Sequence, residues 1–132
     1  MKKLILSACA TMALAISCVA PGPVMLPTSG PLMRQVSRVV ERHDAYVTAD
    51  TSLDEQTRGE YLGQSQGARE LMISMPDGVP ANLLAPRLAP VLDRHDSYVG
   101  RDLQLDILER DQYLATTSGL RSLLTEAVWS RP

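Results

Sequence analysis

Phenylalanine is absent from this chain, and the large aromatics amount to one tryptophan and four tyrosines in 132 residues. A core without bulky rings must be filled by Leu, Val, Met and Ala, so closely spaced elements have to exclude the water. Cysteine occurs only at positions 9 and 18, which leaves everything beyond residue 18 without a thiol, a disulfide or a thiolate metal ligand. Lysine occurs only at positions 2 and 3, and from Cys18 onward eleven arginines stand against fifteen acids. An acidic balance of this kind carries no basic footprint for nucleic acid. The two histidines, His43 and His95, fall short of the three or four ligands that zinc takes. Neither a phosphate-cradling glycine loop nor a strand-turn-helix elbow presenting a serine is legible. The expectation is a protein that is not an enzyme and carries no cofactor.

What the chain does have is a copy of itself. Arg42-His43-Asp44-Ala45-Tyr46-Val47 returns 52 residues later as Arg94-His95-Asp96-Ser97-Tyr98-Val99. Residues 40–72 laid over 92–124 without a gap give 14 identities in 33 positions. Such internal repetition marks a structural unit used twice.

Each copy reads as a pair of helices. Pro31 suits the first turn of the first helix, with Ser29 or Gly30 before it as cap. Val36, Val40, His43 and Val47 then recur at helical spacing, with Val39 and Tyr46 widening the stripe. Asp54 is the expected N-cap of the second helix, with Arg58 one turn on as its ion-pair partner. Tyr61, Ser65, Ala68 and Met72 form that helix's inward stripe, and Leu88, Leu92, His95 and Val99 repeat the pattern of the first. Asp106 caps the fourth helix, with Glu109 completing a capping box and Arg110 as the i,i+4 partner. Tyr113, Thr117, Leu120 and Leu124 form its inward face. Gly67 and Gly119, equivalent and mid-helix, are read as points of close helix approach. One hairpin cannot bury both of its stripes alone, whereas two can bury each other. The fold class expected is all-α: an antiparallel four-helix bundle of two αα-hairpins. Its boundaries are a first repeat at 31–74, a linker at 75–87 holding Pro76, Pro80 and Pro86, and a second repeat at 88–132.

The N-terminus belongs to targeting rather than folding. Lys2 and Lys3 precede an apolar run from Leu4 to Ile16, too short for a membrane span of about 20 residues. Ala15-Ile16-Ser17-Cys18 resembles the lipobox of bacterial lipoproteins, with Ala15 where that family usually has Leu. The resemblance implies a signal peptide at 1–17 and a lipidated Cys18 carrying palmitate-type chains. Val19 after the cysteine implies the outer membrane, with the domain facing the periplasm. Cleavage after Ala20 without lipid, or a retained anchor, are the competing readings. Residues 18–30, with three prolines and Pro31 directly after them, read as an extended tether without regular pairing.

Only one polar constellation could carry chemistry. His43, Tyr46 and Asp50 share a helix face, and His95, Tyr98 and Asp102 repeat it. These rows read chiefly as hydrogen-bonding groups that set helix register. The alternatives are a metal or ligand site at His43/His95 and a pH-sensitive or partner-binding seam. Asp44 and Asp96 are expected to turn aside. Arg42/Arg94 and Arg69/Arg121 read as solvated ion-pairing faces, or as a surface for an anionic ligand or partner. Signal, tether and duplicated helices together resemble small lipoproteins of bacteria and their prophages. That implies a non-enzymatic binding or scaffolding module with an envelope protein as partner. A spanin-like accessory of phage lysis is the variant reading.

Overall fold

The structure, a computed structural model, describes residues 24–129. Residues 1–17, read from the sequence as a signal peptide, and Cys18 lie outside the described residues. Four helices follow one another: α1 (Pro31–Ala49), α2 (Glu55–Ser74), α3 (Ala81–Arg101) and α4 (Ile107–Trp129). The short connections between them make the bundle antiparallel and all-α, as the duplication implies. Among the described residues no helix is long and apolar enough to cross a membrane.

The core is not shared equally. α1 buries Met33, Val36, Val39, Val40, His43 and Val47, and α3 buries Ala81, Leu84, Leu88, Val91, Leu92, His95 and Val99. α2 adds only Ser65 and Ala68, and α4 adds Thr117, Leu120 and Leu124. At equivalent positions the second repeat carries the larger groups, with Leu88, Leu92 and Leu120 where the first has Val36, Val40 and Ala68. α3 accordingly touches all three other helices, whereas α4 leans on α3 and meets α1 only sparsely. Burying a side chain such as Leu88 contributes about 1.5–3 kcal/mol.

The turns repeat as faithfully as the helices. Asp50 ends α1, and its Oδ1 accepts from the backbone N–H of Ser52 at 2.9 Å. Asp102 does the same for the N–H of Gln104 at 2.9 Å. Asp54 and Asp106 cap the helices that follow, accepting from the N–H of Thr57 and Glu109 at 2.7 Å each. Arg58 and Arg110 do not pair with those caps as expected. Each turns back instead, donating to the Asp50 or Asp102 carbonyl at 2.7 Å, and so ties the end of one helix to the start of the next.

Three boundary readings are corrected. α3 begins at Ala81 rather than beyond residue 87, so the linker ends at Pro80 and the second hairpin starts earlier than 88. Pro86 and Pro90 lie inside α3 because Ala81, Leu84 and Leu88 continue the buried stripe past them. Pro86 is exposed and Pro90 half-buried, on the outer side, where water reaches the carbonyls they leave unpaired. The stretch read as an unpaired tether is in part folded: β1 (Met25–Leu26) pairs antiparallel with β2 (Val79–Pro80). The N–H of Ala81 donates to the Val24 carbonyl at 2.8 Å, and Leu26 is buried. Gly78 makes this pairing fit, with φ at +140° and no Cβ, since one would stand 3.3 Å from the Leu26 carbonyl oxygen. Gly67 and Gly119 are not close-approach points. A Cβ at Gly119 meets nothing within 4 Å, and one at Gly67 meets only the end of the Arg87 side chain at 3.6 Å.

Candidate functional site

His43 and His95 are fully buried, at matching depths of α1 and α3. Their Nδ1 atoms lie 2.9 and 3.0 Å from Oδ1 of Asp44 and Asp96 respectively. Their Nε2 atoms lie 3.2 and 3.1 Å from guanidinium nitrogens of the opposite repeat, Arg94 for His43 and Arg42 for His95. A guanidinium can only donate, so each Nε2 accepts, and the neutral tautomer with its proton on Nδ1 follows. Burial lowers both histidines below their ordinary value of 6.5 against the raising pull of the neighbouring carboxylate, and the facing arginines lower them further.

The carboxylates are held just as firmly. Asp44 accepts from Ser65 Oγ at 2.6 Å and pairs with Arg69 at 2.7 Å. Asp96 accepts from Thr117 Oγ1 at 2.7 Å and pairs with Arg121 at 2.7 Å. Burial alone would raise these two aspartates, but the hydrogen bonds outweigh it and keep both below the usual carboxylate range. The cross-repeat arginines are themselves clamped, with Arg94 stacked 3.4 Å over the Tyr61 ring and Arg42 3.5 Å over Tyr113. Stacking and hydrogen bonding together fix each guanidinium in one plane.

The expected rows are therefore partly right and partly rearranged. His43, Tyr46 and Asp50 do share one side of α1, but they do not bond within the row. Tyr46 donates across the axis to Asp102 at 2.7 Å, and Tyr98 donates to Asp50 at 2.6 Å. The two tyrosine rings stack on the axis, 5.3 Å apart and 7° from parallel. Burial and the carboxylate contacts push both phenols up to about 12. Asp50 falls to about 2, held there by the Ser52 hydroxyl and Tyr98. Asp44 and Asp96, expected to turn aside, are central: they leave the core face only to reach the seam with α2 or α4, and still meet their own histidines. Arg42 and Arg94 are likewise cross-links between repeats rather than a solvated face.

Sequence reasoning also missed the bonds of Ser65 and Thr117 to Asp44 and Asp96, and assigned Arg58 and Arg110 to the caps rather than to the carbonyls of the preceding turn. That Arg58 and Arg110 matter was nonetheless legible, since both are among the identities of the duplication. Among the described residues no group of three or more His, Cys, Asp or Glu is arranged to hold a metal ion. Both ring nitrogens of each histidine are already engaged. Chemically, the arrangement joins: Arg42, Arg94, Tyr46 and Tyr98 each donate to the opposite repeat, while Asp44 and Asp96 tie the two helices of their own hairpin together.

Fold and site define a class, an all-α protein of two fused helical hairpins fastened across a pseudo-two-fold axis by reciprocal Arg–His–Asp chains. Compared with protein-family models, curated proteins and solved structures, the chain matches none.

Proposed function

We propose that the chain is a small non-enzymatic lipoprotein, held at the outer membrane by lipid on Cys18 and facing the periplasm. Its helical domain acts there as a binding or scaffolding module, in the manner of the small prophage-type lipoproteins its layout resembles. The observation that carries the reading is the closure of the polar centre. Histidines and carboxylates that could do acid–base work are spent on one another, which leaves the outer clefts as the surfaces for contact. The apolar run Leu4–Ile16 ending in Ala15-Ile16-Ser17-Cys18 supports export and acylation.

Metabolic labelling with a palmitate analogue tests the anchor. The native chain takes up label and partitions with outer membranes, and Cys18→Ser abolishes both. Equal labelling of the two chains overturns the lipoprotein reading.

A further inference from the structure

Duplication makes the two sides of the bundle comparable, and one outer cleft has no equal on the other side. Between α1 and α4, where those helices diverge, lies a cleft of about 460 Å³ lined by Gln35, Arg38, Arg42, Gln112, Tyr113 and Thr116. No aspartate or glutamate lines it. On the other side, the cavity beside Arg94 contains Asp50 and Asp93, and Pro90 stands where the first repeat has Arg38. In a chain whose acids outnumber its bases, a cleft with two arginines and no acid is a local reversal of charge.

We infer that this cleft binds a small phosphomonoester. Arg42 lies within it already immobilised, with one guanidinium nitrogen on His95 at 3.1 Å and its plane on Tyr113 at 3.5 Å. Its other N–H groups make no hydrogen bond among the described residues. A donor fixed before the ligand arrives loses little entropy on binding, and guanidinium forks match phosphate oxygens in pairs. Arg38, one turn earlier on α1 and exposed, has no ion-pair partner among the described residues. The Gln35 and Gln112 amides and the Tyr113 hydroxyl add further neutral donors. Together these exceed what the two oxygens of a carboxylate can accept, and suit the three terminal oxygens of a phosphate monoester. The volume falls in the range of about 300–1,000 Å³ typical of small-molecule sites. A ligand of this class deepens the binding role proposed above, on which it rests, and needs nothing of the lipid anchor.

Titration calorimetry of the full chain at constant ionic strength, with glycerol 1-phosphate as ligand and glycerate and glycerol as comparisons, tests this. Saturable binding of glycerol 1-phosphate is expected, with glycerate weaker and glycerol inert. Arg38→Glu, at an exposed position outside the core network, is expected to weaken it at least about tenfold with an unchanged melting temperature, and Gln112→Ala to weaken it less. No saturable binding up to about 10 mM, equal affinity in Arg38→Glu, or glycerate binding as tightly overturns the inference. Vesicles of zwitterionic lipid with and without phosphatidic acid locate the phosphate. Binding that needs phosphatidic acid and is displaced by glycerol 1-phosphate places it on a lipid, and indifference to the vesicles places it on a soluble molecule; both keep the site. Vesicle binding that glycerol 1-phosphate cannot displace overturns it. A failed label at Cys18 leaves these results untouched, so the anchor and the cleft fail separately.

Discussion

At the residue scale, Arg94 and Arg42 carry more than their charge. Each satisfies the only lone pair of a buried imidazole and covers a tyrosine face. Arg94→Met keeps much of the apolar stem but leaves His43 Nε2 without a donor in a site with no exposure. An unsatisfied buried acceptor costs about 1–3 kcal/mol, to which loss of the stacked cation adds about 0.5–1 kcal/mol. A drop of about 2–3 kcal/mol in urea unfolding is expected, and Arg42→Met should match it because the contacts are the same on both sides. A loss below about 0.5 kcal/mol in both variants overturns the account. These roles were half legible in the sequence. Every polar identity of the duplication, from Arg42 and Asp44 to Arg58, Tyr61 and Arg69, makes a hydrogen bond, ion pair or stacking contact in the fold. Recurrence therefore marked which residues act. It could not say on whom, because helical spacing places a side chain on a face of its own helix and is silent about which helix stands opposite.

At the scale of elements, α3 shows burial overruling local preference. The sequence places the start of this helix at residue 88, past Pro86, since Pro in a helix interior costs roughly 3 kcal/mol through the lost hydrogen bond and the clash with the carbonyl one turn back. Yet Ala81, Leu84 and Leu88 are completely buried, and only a helix continued through Pro86 puts all three inward. Pro86→Ala is expected to stabilise the chain by about 2 kcal/mol. It recovers the interior penalty and gives back about 0.4–1 kcal/mol of unfolded-state entropy. Urea unfolding measures it, and an unchanged or lower stability would show that α3 is built around the bend. The paired strands escaped the sequence for a related reason. Two residues on each side are too few for a periodic signal, and the pairing exists because the α2–α3 turn happens to pass beside Leu26.

At the scale of the molecule, the histidines make the fastening dependent on pH. Folding depresses both below 6.5, so in mildly acidic solution the unfolded chain takes up protons that the folded chain refuses. Their contribution is complete above about 6.5 and is lost as pH falls below it, because a protonated Nε2 would face a guanidinium. A second loss follows below 3.8, as Asp50 is protonated toward its folded value of about 2. The melting temperature is expected to fall between about pH 7.5 and pH 5, and the His43→Gln/His95→Gln double variant to flatten that fall. A native chain with the same melting temperature at both ends of this range contradicts the account. The strand pair acts at the same scale, but on reach. Residues 24–30 lie folded back against the α2–α3 corner, held by two paired positions, one bond from the Ala81 N–H and one from the Thr28 hydroxyl to the Pro76 carbonyl. Tension applied from the N-terminal side loads this seam before it loads any helix. Once peeled, those residues span up to about 24 Å, at 3.3–3.6 Å apiece, while α1 stays intact. The chain thus has two leash lengths, and a pull can switch it from the short one to the long one without unfolding the bundle.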